Sequence, residues 1–516
     1  MRKDCEQIQT DAVMSTNRRI ARNTIMLYVR MLCSVCINLY ASRILLSTLG
    51  VDDFGVYNIV GGVVAMLSFL NSTMSGCTSR FLTYELGKGD NDRLVKTFSS
   101  AFLIHIYIAV FILLAGETLG LWFVNTQLVI PESRVAAANV VYQFSLLSAA
   151  ISFIQVPYSA DVIAHERMDA YAYVEIMHVL LKLGAILLLP HLPFDRLMTY
   201  AVLLTCVSLA VFVTYRMFCV RHFEESRFRR PADRSVMMPM LKFTSLDIYG
   251  NLCVVTQQQG ANVLINRFFG VALNAASGVA TQASSIVSMF VSSFTMALRP
   301  PVIKKYASGD FEGLQRLFTV ALVLCSSLAV MMCVPLYLRI NYLMTLWLGD
   351  VPAYAVQFCK WLLLANSVTV VNTLFNTLIH ATGNIKRLSL ISGTLYLTTV
   401  LFSYFAFRFS SPPQATYAIF FIIAIVVLVS NSIIAKKQIP ELVFGKLAAE
   451  LLMPAVSLTI AVLSSSFLNG LLPDGLWGTV LLFIVNALVA VLSLYCLWIG
   501  PRYGWNIKNI IRKDEI

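Results

Sequence analysis

The chain has 516 residues, of which 58% are hydrophobic and only 13% charged, and its mean hydropathy is +0.74; this balance excludes a soluble globular domain. The formal net charge of +12 is scattered over many short segments instead of gathered in one stripe, which excludes a nucleic-acid footprint. The 11 cysteines lie nearly all within apolar runs, where a thiol acts as a small hydrophobe, so no disulfide framework, redox pair or metal centre is expected.

In chain order, the opening MRKDCEQIQTDAVMSTNRR is polar and lacks an apolar core of its own, so residues 1–17 read as a cytoplasmic leader and not as a cleavable signal, with Met14 an alternative start. Apolar runs follow, each long enough to cross about 30 Å of hydrocarbon as a helix. They fall at roughly 22–48, 53–80, 97–122, 138–162, 170–190, 197–219, 241–268, 274–299, 314–340, 355–381, 388–408, 414–435, 446–468 and 476–499. Runs such as AIFFIIAIVVLVS are apolar on every side, unlike the alternating strands of a membrane barrel. The predicted class is an all-α integral membrane protein with about 14 transmembrane helices.

Lysines and arginines gather in alternate connections: Lys88, Arg93 and Lys96; Arg167; Arg221, Arg227, Arg229, Arg230 and Arg234; Lys304 and Lys305; Lys386 and Arg387; Lys436 and Lys437. Basic short loops stay on the cytoplasmic side, which places both termini there too.

The chain also repeats itself. At a shift of 220 residues GKGDNDRLVKTF lies on ASGDFEGLQRLF, pairing Gly89 with Gly309, Asp90 with Asp310, Leu94 with Leu314 and Phe98 with Phe318, and Gly50 falls on Gly270. A looser match at a shift of 217 sets PYSADVIAHERMDAY beside LFNTLIHATGNIKRL. Two six-helix lobes of like topology are expected, as in transporters built from parallel repeats. The predicted divisions are an N-lobe at 18–219, a basic linker at 220–236, a C-lobe at 237–440, two extra helices at 441–500 and a cytoplasmic tail at 501–516.

Polar residues inside the spans are the candidate site. On the seventh span Asp247, Asn251, Gln258, Asn262 and Asn266 recur at spacings of four, seven, four and four, one slowly turning stripe. The first span carries Arg30, Ser34, Asn38 and Ser42 four apart, and Asn38 and Ser42 match Gln258 and Asn262 under the repeat. Lipid cannot be their partner, because a charge at the bilayer centre costs about 2.5–3.5 kcal/mol even on lenient scales. Helix-to-helix hydrogen bonds are the plain alternative to a wet central cavity for any one amide. On the fifth span Glu175, His178 and Lys182 share a face; they either neutralise one another or serve a cavity, Lys182 meeting cargo while Glu175, His178 or Asp247 couples an ion. Arg43 and Arg267 near span ends either snorkel or join the cavity, and Arg299 closes the eighth span. Basic groups outnumber acids, which points to an anionic cargo. No clustered acids, phosphate loop or HExxH motif appears, His165–Arg167 reading only HER, so an enzyme is not expected.

The runs SRFLTYELGKGD (Ser79–Asp90), PYSADVIAHERMDAYAYVEIMHVLLKL (Pro157–Leu183) and QQQGANVLINRFFGVALNAASGVATQ (Gln257–Gln282) resemble the polysaccharide-transporter branch of the multidrug/oligosaccharidyl-lipid/polysaccharide (MOP) exporter superfamily. The likeness extends over nearly the whole chain from about residue 18 and is strongest to O-antigen or lipopolysaccharide repeat-unit flippases. It implies two lobes in a V around a cavity, moving an undecaprenyl-pyrophosphate-linked oligosaccharide between leaflets of a bacterial inner membrane by alternating access. It implies no cofactor, leaves proton or sodium coupling open, and names membrane lipids and a polysaccharide polymerase and ligase as partners. Arg30, Lys182 and Arg267 are the kind of residue that engages the pyrophosphate in such relatives. A multidrug cation antiporter of the same fold and a lipid II flippase are the rival readings.

Overall fold

The computed structural model describes residues 22–499 apart from 39, 42, 43, 46, 51, 52, 54, 55, 58, 59, 61–67, 127–131, 228–232 and 350. Among the described residues there is no strand. The helices are α1 (within 22–50) and α2 (Ser68–Lys88), then α3 (Asn91–Thr126), α4 (Val135–Ala164), α5 (Met168–Leu188), α6 (Arg196–His222) and α7 (Arg234–Phe269). They continue as α8 (Val271–Ala307), α9 (Phe311–Leu348), α10 (Ala355–Thr382), α11 (Leu388–Arg408), α12 (Ala415–Gln438), α13 (Phe444–Asn469) and α14 (Leu476–Ile499). Eleven of them, α3–α6 and α8–α14, are long and apolar enough to cross a membrane. The helix α7 is long as well, but its amides pull its composition below that of a lipid-facing span. Side chains such as Phe111 (69% exposed), Leu114 (63%), Phe467 (72%) and Leu492 (59%) form an outer surface that only lipid would cover favourably. The protein is a multi-pass membrane protein.

The sequence repeat reappears in the backbone. Gly89 and Gly309 have φ of 72° and 77°, and Gly50 and Gly270 have 80° and 84°, a left-handed region where a β-carbon costs roughly 1–2 kcal/mol. Each of the first pair precedes a helix-capping aspartate: Asp90 accepts from the Arg93 N–H at 2.9 Å and Asp310 from the Gly313 N–H at 2.9 Å. Leu94 and Leu314, and Phe98 and Phe318, are all buried. At the shift of 217, Glu166 (φ 59°) follows the end of α4 where Gly383 (φ 77°) follows the end of α10.

The described residues divide into two compact units, 23–248 and 249–499. The division falls inside α7. In the first unit, Met240 packs with Met74, Ala101 and Ile104, the Cys77 Sγ lies 2.8 Å from the Thr244 Oγ1, and Arg80 stacks over the rings of Phe81, Tyr84 and Phe243. At another end of this unit Arg134 grips Asp53 and, at 2.6 Å, Asp195.

In the second unit, Asn431 donates to Asn372 Oδ1 at 2.8 Å and to Asn376 Oδ1 at 2.9 Å, and accepts from Ser392 at 2.7 Å. This satisfied network ties α10, α11 and α12 together. The last two helices dock on α9, where Asn486 donates to the carbonyls of Val330 and Met331 and accepts from Ser465.

Candidate functional site

Within the first unit, α1, α5 and α6 bring a polar cluster together at mid-helix. Arg30 lies eight residues beyond Arg22, a rise of about 12 Å along α1. Its guanidinium carbon sits 5.4 Å from the centre of the Tyr171 ring, close enough for a cation–π contact. Tyr171, Glu175, His178 and Lys182 recur along one face of α5, and all are half-buried. From α6 the Tyr215 hydroxyl donates to Glu175 Oε1 at 3.2 Å. Glu175 and Lys182 both act electrostatically on His178.

The cations of this cluster are not neutralised by contact. Arg30 Nε is buried with no hydrogen-bond partner, and among the described residues no carboxylate pairs with Arg30 or Lys182. Among the described residues the cluster holds one carboxylate, Glu175, which accepts from the Tyr215 hydroxyl. An unpartnered guanidinium nitrogen is costly in a low-dielectric setting unless water or an anion meets it, so the arrangement is able to receive an anionic oxygen.

The other expected residues are distributed as follows. Ser34 is half-buried, and its carbonyl accepts from Asn38 Nδ2 at 2.7 Å, which turns the exposed Asn38 back along its own helix. Ser42 and Arg43 lie outside the described residues. Asp247 is half-buried near the end of the first unit, while Asn251, Gln258, Asn262, Asn266 and Arg267 belong to the second. Gln258, Asn266 and Arg267 are exposed. Asn262 is engaged inside the unit: its Oδ1 accepts from Ser277 at 2.7 Å, and Ser277 also meets the Tyr417 hydroxyl at 2.5 Å.

Sequence spacing missed three features. Tyr171 and Tyr215 frame Arg30 and Glu175, but nothing distinguishes their rings from lipid-facing aromatics along the chain. Of the three consecutive glutamines it is Gln257 that points inward, donating to Thr399 Oγ1 on α11 at 2.9 Å. Asp161, His165 and Glu225 come together at the end of α4 although 60 residues separate the last two.

No protein-family model matches the chain, and no curated protein does. Solved structures do. A MATE transporter in the bent conformation superposes with a TM-score of 0.71 at 13% identity, over 83% of this chain and 98% of that one. An outward-facing multidrug-resistance MATE transporter of the MOP superfamily gives 0.69 at 16% identity, over 83% and 96%. A MOP superfamily transporter from Pyrococcus furiosus, described by the reverse polarity of its binding pocket, gives 0.68 at 14% identity, over 83% and 96%. At such identities the likeness is one of fold. The chain has the fold of the MATE transporters of the MOP superfamily.

Proposed function

We propose that this protein is a flippase that moves an undecaprenyl-pyrophosphate-linked oligosaccharide across a bacterial inner membrane by alternating access. The observation that carries the reading is the buried, unpartnered Arg30 Nε on α1, with Lys182 half-buried on α5. A diphosphate calls for guanidinium and ammonium donors in a site of low dielectric. Hydroxyl-rich sugars call for amides and hydroxyls, which Ser34 and Asn38 supply on α1 beside Arg30. Glu175, His178 and Asp247 are the candidates for coupling to protons or sodium. The fold supports a transporter, and for the Pyrococcus furiosus neighbour a binding pocket of reverse polarity is said to suggest a different function.

A second reading, export of cationic amphiphiles, is favoured by one observation: Glu175 stands with Tyr171 and Tyr215, an acidic and aromatic setting suited to a cation. The two readings separate in proteoliposomes. The expected result is movement of a lipid-pyrophosphate oligosaccharide between leaflets and no efflux of a cationic dye. Dye efflux without lipid movement would replace the first reading by the second.

A further inference from the structure

Away from the Arg30 cluster, at the end of α4, three groups that no transport role has claimed converge on one point. Asp161 lies four residues before His165, at the last turn of α4, and Glu225 sits just beyond α6. One ligand atom from each lies within 4.8 Å of the others. His165 Nε2 is 2.5 Å from Glu225 Oε1 and 3.8 Å from Asp161 Oδ1. Asp161 is wholly buried, at 0% exposure, and its Oδ1 has no hydrogen-bond partner although it faces this cluster.

We propose that Asp161, His165 and Glu225 bind one divalent transition-metal ion of the zinc type, which clamps the end of α4 to the segment after α6.

Charge is the first support. With both carboxylates ionised, the set keeps an excess negative charge even when the imidazole is protonated, and a dication neutralises it. Geometry is the second. Zinc–ligand bonds of about 2.0–2.2 Å on a tetrahedron place neighbouring donors roughly 3.3 Å apart, so His165 and Glu225 would open slightly and His165 and Asp161 would close slightly. The outer contacts are already in place. Ser226 Oγ donates to the other oxygen of Asp161 at 2.6 Å, which leaves Oδ1 to point inward. The His165 ring is stacked on Phe223, with centroids 4.0 Å apart and planes 6° from parallel. Such partners fix the orientation of metal ligands. The turn after His165 is braced as well, since Asn23 Nδ2 on α1 donates to the Glu166 carbonyl at 3.1 Å. An imidazole between two carboxylates favours zinc, iron or nickel over magnesium and calcium, which prefer oxygen alone. HER gives no hint of this in sequence, because the third ligand, Glu225, lies 60 residues on, in the segment after α6.

The test uses the full-length protein in detergent, stripped with a chelator and then dialysed against zinc, with metal content read by plasma mass spectrometry after gel filtration. Wild type is expected to retain about one zinc per chain and to melt several degrees higher than the stripped protein. Asp161→Asn, Glu225→Gln and His165→Gln should each lower zinc retention about tenfold or more, and the exposed neighbour change Glu224→Gln should leave it unaltered. Magnesium at equal concentration should not displace the zinc. Zinc content of the wild type no higher than a metal-free blank would overturn the proposal, whatever the variants do. Retention by Asp161→Asn and Glu225→Gln equal to wild type would overturn it too.

Discussion

Arg134 and its two aspartates show how a single residue holds a membrane bundle at its rim. The guanidinium binds Asp53 and Asp195 at once, and Asp195 also caps α6 by accepting from the Met198 N–H at 3.0 Å. Burial pushes the Asp195 carboxyl up, but the Met198 N–H and the Arg134 guanidinium outweigh it and hold it below the usual carboxylate range. A carboxyl depressed in the folded state stabilises that state above its ordinary value of about 4, and the contribution is lost as pH falls through the folded value. Asp195→Asn should therefore melt lower than the parent at pH 7, by roughly 1–2 °C, and the gap should close below about pH 4. Thermal melts from pH 7 to pH 3 check this; identical melting at pH 7 would remove the ion pair's role. At this scale the sequence was partly legible. Spacing alone put Glu175, His178 and Lys182 on one face, because a helix repeats every 3.6 residues. It was not able to say which of Gln257, Gln258 and Gln259 turns inward, since that depends on where α11 lies and not on α7 itself.

At the scale of elements, the seam between α7 and α11 in the second unit explains why α7 carries small residues among its amides. A β-carbon on Gly260 would meet Val400 Cγ2 at 2.7 Å, and one on Gly393 would meet Tyr249 at 3.1 Å and Cys253 at 3.2 Å. Close backbone approach of this kind replaces hydrophobic driving force as the source of helix association in lipid. Gly278 on α8 faces open space, with nothing within 4 Å of a built β-carbon. Gly260→Ala should therefore destabilise the protein by about 1 kcal/mol or more through overpacking, while Gly278→Ala should be neutral or stabilise by about 0.5–1 kcal/mol through helix propensity. Melting temperatures of the two variants in one detergent decide the matter, and a Gly260→Ala protein as stable as the parent would contradict the seam. Helix ends were well marked in the sequence by Gly89-Asp90 and Gly309-Asp310, since a left-handed glycine followed by a capping aspartate has a local cause. The end of α7 carries half of that mark, a left-handed Gly270 (φ 84°) with valine in place of a capping aspartate after it.

At the scale of the molecule, apolar run length and the 220-residue repeat made the helical membrane class readable, because both are set by bilayer thickness and chain topology. The cargo is a different kind of question, since one fold hosts many functions and the function lives in the site. Under the proposed flippase role Arg30 is the most exacting side chain, because a charge-assisted contact is worth about 1.5–3 kcal/mol, or roughly tenfold to a hundredfold in rate or affinity. Lysine would keep the charge and lose the planar fork. The most direct measurement is leaflet-to-leaflet movement of a lipid-pyrophosphate oligosaccharide in proteoliposomes by wild type, Arg30→Ala, Arg30→Lys and Arg299→Ala, at matched protein content. The expected outcome is a loss of about tenfold or more for Arg30→Ala, an intermediate rate for Arg30→Lys and a much smaller change for Arg299→Ala. Movement by Arg30→Ala at the wild-type rate would contradict the role given to this cation.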